Sequence, residues 1–85
     1  MNRQDYIYEL IGKIMGKDLL TNKKGTNHYR LKVIIPDRPE IKKINAFSDS
    51  LAIPKIWSEI TKEKYQDKKY VFFCKNFMGS YYLIN

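Results

Sequence analysis

The stretch His28–Ile35, HYRLKVII, constrains this chain most. Tyr29, Leu31, Val33 and Ile35 fall on one side of it, and His28, Arg30 and Lys32 on the other. A period of two marks a strand with one face buried and one wet, because successive side chains of an extended backbone point in opposite directions. Pro36 ends the run, since it has no N–H to give a ladder. Asp37, Arg38, Pro39 and Glu40 then make a turn into a second alternating stretch, IKKINAF. There Lys43, Asn45 and Phe47 share one face, and Ile44 and Ala46 share the other.

The rest of the chain reads as more strand with a single helical insert. Between Asp5 and Lys17 the apolar residues fit either a helix or a strand. Gly12 and Gly16 favour a strongly curved strand that bends at a corner, with a short helical lead-in over Asn2–Tyr6. Asp18–Asn27 is turn-rich and basic, a loop. After a turn at Ser48, Asp49 and Ser50, the positions Ile53, Ile56, Trp57 and Ile60 keep helical spacing, and Pro54 suits the first helical position. Lys69–Asn76 forms a fourth strand, Gly79 marks a tight turn, and Ser80–Ile84 forms a fifth. An all-β domain with one short helix, placed between strands three and four, is the expectation for the whole of residues 1–85. Closing the sheet on itself would remove the exposed edges of so β-rich a chain.

Charge narrows the function. The chain carries a net +7. From Asn22 to Asn45 seven basic residues stand against Asp37 and Glu40, so this segment holds +5 of it. Localised positive charge points to an anionic partner, nucleic acid before an acidic membrane surface. Cys74 is alone and His28 is the one histidine, so a disulfide within the chain or a cysteine-based zinc site is excluded, and no metal or other cofactor is expected. No apolar run is long enough for a membrane span and the first residues lack a signal-peptide core, so a soluble intracellular protein without membrane or small-molecule partners is expected. No phosphate loop or nucleophile–base pairing is present, and catalysis is not expected.

Candidate binding residues follow from parity. Phe47 shares its face with Lys43 and Asn45, which makes it a stacking platform for an exposed base rather than a core filler. His28, Arg30 and Lys32 add charge on the neighbouring strand for backbone phosphates. Phe73 and Lys75 face outward on the fourth strand, opposite in parity to Tyr70, Phe72 and Cys74. Tyr29 and Trp57 belong to the core. Lys23 and Lys24 stand in the first loop, either bordering a groove or simply solvated. Tyr81 and Tyr82 cannot both be buried, which leaves one to flank the groove. Ile7, Ile11 and Ile34 are outward by the same parity and would form an apolar docking patch if the domain serves as an interaction module.

The segments KKINAFSDSLAIPKIWSEI and KKYVFFCKN resemble the single-stranded-DNA-binding OB domains of the replication protein A large subunit. Those domains show a basic-x-x-x-Phe strand, a short helix and an aromatic-rich strand ending in lysine. The resemblance covers about half of the chain. It implies a five-stranded Greek-key barrel of the OB type. It puts Phe47 at a base-stacking position, Lys43 beside it, Lys75 after the fourth strand, and Phe77 at a second stacking position in the last loop. The function it implies is binding of single-stranded DNA with little sequence preference in replication, recombination or repair. Useful affinity would come from a homo-oligomer or a larger replication partner. RNA binding, or service as an interaction subunit of a larger complex, are the alternatives.

Overall fold

A computed structural model describes residues 6–21, 27–47 and 55–84. Its elements run β1 (Tyr8–Thr21), β2 (Asn27–Ile34), β3 (Lys43–Phe47), α1 (Lys55–Thr61), β4 (Lys69–Phe77) and β5 (Ser80–Leu83). The five strands close into a ring in the order β1-β2-β3-β5-β4, with β1 also bonded to β4. All neighbours are antiparallel except β3 and β5, whose parallel contact is one partner pair, Asn45 with Tyr82. Among the described residues the mainly β architecture, the one short helix and its place between β3 and β4 are as the sequence predicts. Among the described residues no helix is long and apolar enough to cross a membrane.

Closure depends on β1, which serves two partners. Tyr8–Lys13 pairs with β4, and Lys13–Thr21 pairs with β2. At the handover, Gly12 lies so close to β2 that a Cβ there would collide with the carbonyl oxygen of Ile34 and with Cδ1 of Ile35. Glycine is needed because only a bare backbone fits that approach. A bulge follows, where the register shifts between Ile14 and Gly16 and leaves Met15 as the extra residue. The bulge flips the parity, so Lys17, opposite Leu31, turns toward the core side. Its ammonium donates to the carbonyl of Ile60 at 2.5 Å and lies 4.8 Å from the centre of the Tyr29 ring. A cation at the end of α1 meets the negative pole of the helix.

Strand β1 extends to Thr21, into the segment that its polar residues mark as loop. Pairing from Asp18–Arg30 to Thr21–Asn27 carries the ladder there. The expected lead-in over Asn2–Tyr6, the turn at Ser48–Ser50 and Pro54 lie wholly or mostly outside the described residues.

The inward faces supply Leu10, Ile14, Leu31, Val33, Ile35, Ile41, Ile44, Ala46, Phe72, Cys74 and Leu83, and α1 adds Ile56 and Ile60. Burying each Leu, Ile, Val or Phe among them contributes about 1.5–3 kcal/mol. Trp57 packs on Tyr29 with ring centres 5.0 Å apart, as expected of core residues. Burial pushes the Cys74 thiol up to about 12. Helix α1 is also clasped to β4: the Tyr70 hydroxyl donates to Glu59, and the Lys68 ammonium donates to Glu59 Oε1 at 2.9 Å. Those two donors hold the Glu59 carboxyl below its ordinary value, Tyr70 more than Lys68.

Candidate functional site

The outer face of β2, β3 and β5 is assembled by register. Across β2 and β3 the opposed pairs are His28–Phe47, Arg30–Asn45 and Lys32–Lys43. Asn45 then meets Tyr82 on β5, and Tyr82 meets Lys75 on β4. Phe47 points outward, as its parity with Lys43 and Asn45 predicts, and it takes no part in the core cluster. It is half-buried because its neighbours are rings. His28 stacks on one side with centres 4.5 Å apart, and Tyr82 on the other at 5.8 Å, each tilted 20° from the Phe47 plane. Phe47 is therefore the middle of a three-ring column and not a bare platform. The faces turned away from Phe47 belong to His28 and Tyr82. Of the tyrosine pair, Tyr82 flanks this face, while Tyr81 packs against the core and meets Tyr8 edge-on at 5.3 Å.

Cations surround the column. Arg30, Lys43 and Lys75 make no ion pair among the described residues, whereas the Lys32 ammonium lies 3.8 Å from the Asp18 carboxylate. Lys32 and Lys43 stand directly opposite each other, an arrangement of like charges that disfavours the sheet unless an anion relieves it. Beside them a cavity of about 370 Å³ opens between the start of β3 and the β4–β5 turn. Arg30, Lys42, Lys43, Asn45, Ser80 and Tyr81 contribute to its walls. It lies where the contact between β3 and β5 is confined to one pair. Asn45 has a structural task as well: its amide donates to the Tyr81 carbonyl at 3.2 Å across that seam.

The remaining candidates are dispersed. Phe73 sits opposite Glu9 of β1, one alternation along β4 from Lys75, and so belongs to the β1 side of the ring. Phe77 closes the β4–β5 hairpin opposite Ser80. The two-residue turn beyond it, Met78 and Gly79, has positive φ at both positions, the geometry that matches strand twist in a tight hairpin. Phe77 and Met78 are both well exposed, and they form an apolar tip next to the cavity. Met78 has no signal in the sequence as a site residue, because a methionine at positive φ is not what a turn of this kind selects. Lys23 and Lys24 lie outside the described residues.

No family model matches this chain, nor does any curated protein or solved structure. What the site can do is read from its own chemistry. Among the described residues no group of three or more His, Cys, Asp or Glu side chains is placed to hold a metal ion. Rings aligned across three strands offer π-faces at the ends of a column. The guanidinium and ammonium groups around them suit oxyanions a few ångströms apart along a flexible chain. The Nδ1 of His28 is buried without a hydrogen-bond partner, so that ring is held by stacking more than by polar contacts.

Proposed function

We propose that this chain is an OB-fold domain that binds single-stranded nucleic acid, DNA in the first place, across the outer face of β2, β3 and β5 with little sequence preference. The observation that carries the reading is the His28–Phe47–Tyr82 column bordered by Arg30, Lys43 and Lys75. Bases stack on the column ends, Tyr82 before His28, because Lys75 stands beside Tyr82 to meet the adjoining phosphate. Stacking of this kind contributes about 1–3 kcal/mol per base and tolerates any sequence, since every base has a π-face. Arg30, Lys42 and Lys43 take further phosphates along the cavity, and Lys32 one beside it. The ring order, the β3–β5 parallel seam and the helix between β3 and β4 support the OB reading. Binding without catalysis, in the service of replication, recombination or repair, fits a site made of rings and cations.

The test is fluorescence anisotropy with labelled oligo-dT, oligo-rU and duplex DNA at several salt concentrations. With four to five phosphates neutralised, the slope of log affinity against log salt is about −3 to −3.5, from about −0.7 per phosphate on a single strand. Absence of binding at low salt overturns the proposal. Equal binding to duplex reduces it to general charge attraction, and equal binding to oligo-rU extends it to RNA. A second reading, an OB-fold interaction subunit of a larger complex, is favoured by the exposure of Ile7, Ile11 and Ile34. Under it a substitution in the ring column, such as Tyr82→Ala, would leave partner binding intact.

A further inference from the structure

The outer face of β1 and β4 carries a pattern unlike that of the aromatic column. Register sets Glu9 opposite Phe73, Ile11 opposite Val71, and Lys13 opposite both Lys69 on β4 and Ile34 on β2. Ile11 is 43% exposed and Val71 38%, so the centre of this face is apolar and open, and Ile34 and Met15 carry exposed apolar surface on past Lys13. Two further features bear on what covers it. Lys13 and Lys69 are directly opposed like charges, and neither meets a carboxylate among the described residues. Along β1 the outward order is acid, apolar, base: Glu9, Ile11, Lys13. Turned by 180° about an axis through Ile11, that order superposes an acid on each base.

We propose that this face docks a second copy of the chain, with the two β1 strands antiparallel about a two-fold axis at Ile11. Two-fold pairing is self-complementary by construction, as the same patch serves both partners. Within one chain Glu9 and Lys13 are four residues apart on a strand, about 13 Å, too far to pair. In the dimer each Glu9 meets the lysine pair of the facing copy and relieves its repulsion, while Ile11 and Val71 fill the centre. The β2–β3 face cannot serve in this way: the same turn about Arg30 sets that guanidinium against its own image, and the outward residues of β2 and β3 include no acid to meet Lys32 or Lys43. The dimer leaves both ring columns on its outer sides, where a strand engaging both gains avidity over one domain. The proposal stands apart from the nucleic-acid reading, and either can fail alone.

The experiment is sedimentation equilibrium of the full chain across concentration, with a charge swap. The wild type sediments at twice the 10.2 kDa of one chain. Glu9→Lys and Lys13→Glu each weaken the dimer by about tenfold, and the double variant restores it to within about threefold, because the swapped pair is again complementary. Circular dichroism checks that each variant is folded, and Ile11→Ser provides a second route to a folded monomer. A wild type that stays monomeric at every concentration overturns the proposal. So does a dimer that Ile11→Ser leaves intact, or one in which the double variant is no better than the single ones.

Discussion

The two outer faces of this ring share a core and differ in what stands at alternate positions. On β2 and β3 the outward series are His28–Arg30–Lys32 and Lys43–Asn45–Phe47, rings at one end and cations at the other. On β1 and β4 they are Glu9–Ile11–Lys13 and Lys69–Val71–Phe73, apolar in the middle with charge of both signs around it. Strand alternation sets both patterns, so the backbone is indifferent to which face does what. The difference teaches that one backbone pattern can carry two chemistries: rings and cations on the β2–β3 face, which suit the proposed strand of nucleic acid, and an apolar centre on the β1–β4 face, which suits the proposed second copy. Anything that acts on one and spares the other separates the two tasks.

The largest effect comes from breaking both at once. Phe72 is fully buried at the centre of the core. Phe72→Ala removes about 3–5 kcal/mol of stability, enough to unfold a domain of this size, and urea titration reads the loss. Oligonucleotide binding and self-association should disappear together. Binding that survived unfolding would show attraction of a basic chain and no site.

The next effect separates the faces. Arg30→Ala with Lys43→Ala and Lys13→Ala with Lys69→Ala remove the same charge from the two sides. The first pair should weaken oligo-dT binding by at least about tenfold and reduce the salt slope by about 1.4. The second should leave the slope within about 0.5 of the wild type, because those phosphates are met elsewhere. Equal losses in the two variants would dissolve the distinction. Within the first face, Tyr82→Ala should cost about 1–3 kcal/mol of binding, while Phe73→Ala, on the β1 side, should cost less than about 0.5 kcal/mol. Anisotropy at constant salt measures both.

Much of this was legible in the residues because period-two alternation survives folding. Phe47, Asn45, Lys43, Arg30 and Lys32 come to one face as their parity requires, and Tyr29 and Trp57 go to the core. Alternation says which face a ring takes but nothing of its neighbours across strands. Tyr82 lies beside Phe47 only through a parallel contact between segments more than thirty residues apart, and so the column was invisible. The bulge at Met15 likewise hid how far β1 extends, since it shifts the period midway and the polar Asp18 and Thr21 that follow resemble a loop. Phe73 is outward as its parity predicts but stands on the β1 side, opposite Glu9, because outward is not one direction on a closed sheet.

The smallest effect should touch neither face. Glu59 joins α1 to β4 through the Tyr70 hydroxyl and the Lys68 ammonium, and these donors hold its carboxyl below 4.5. A carboxylate with a lowered folded-state value binds protons more weakly than in the unfolded chain. Its contribution is therefore complete above the ordinary carboxylate range and is lost as pH falls through the lowered value. Tyr70 behaves in the opposite sense: burial, then the bond to Glu59, raises its hydroxyl above 10.0, so the folded state loses stability as pH rises beyond that point. Glu59→Gln should lower the melting temperature slightly at pH 7, by a few degrees at most. Below the carboxylate range the variant and wild-type curves should converge, because a protonated Glu59 and a glutamine accept the same bonds. Affinity for oligo-dT at pH 7 should be unchanged, since the clasp holds a helix and neither outer surface. A melting curve whose separation from wild type persists undiminished into acid would show that the clasp acts by packing and not by charge.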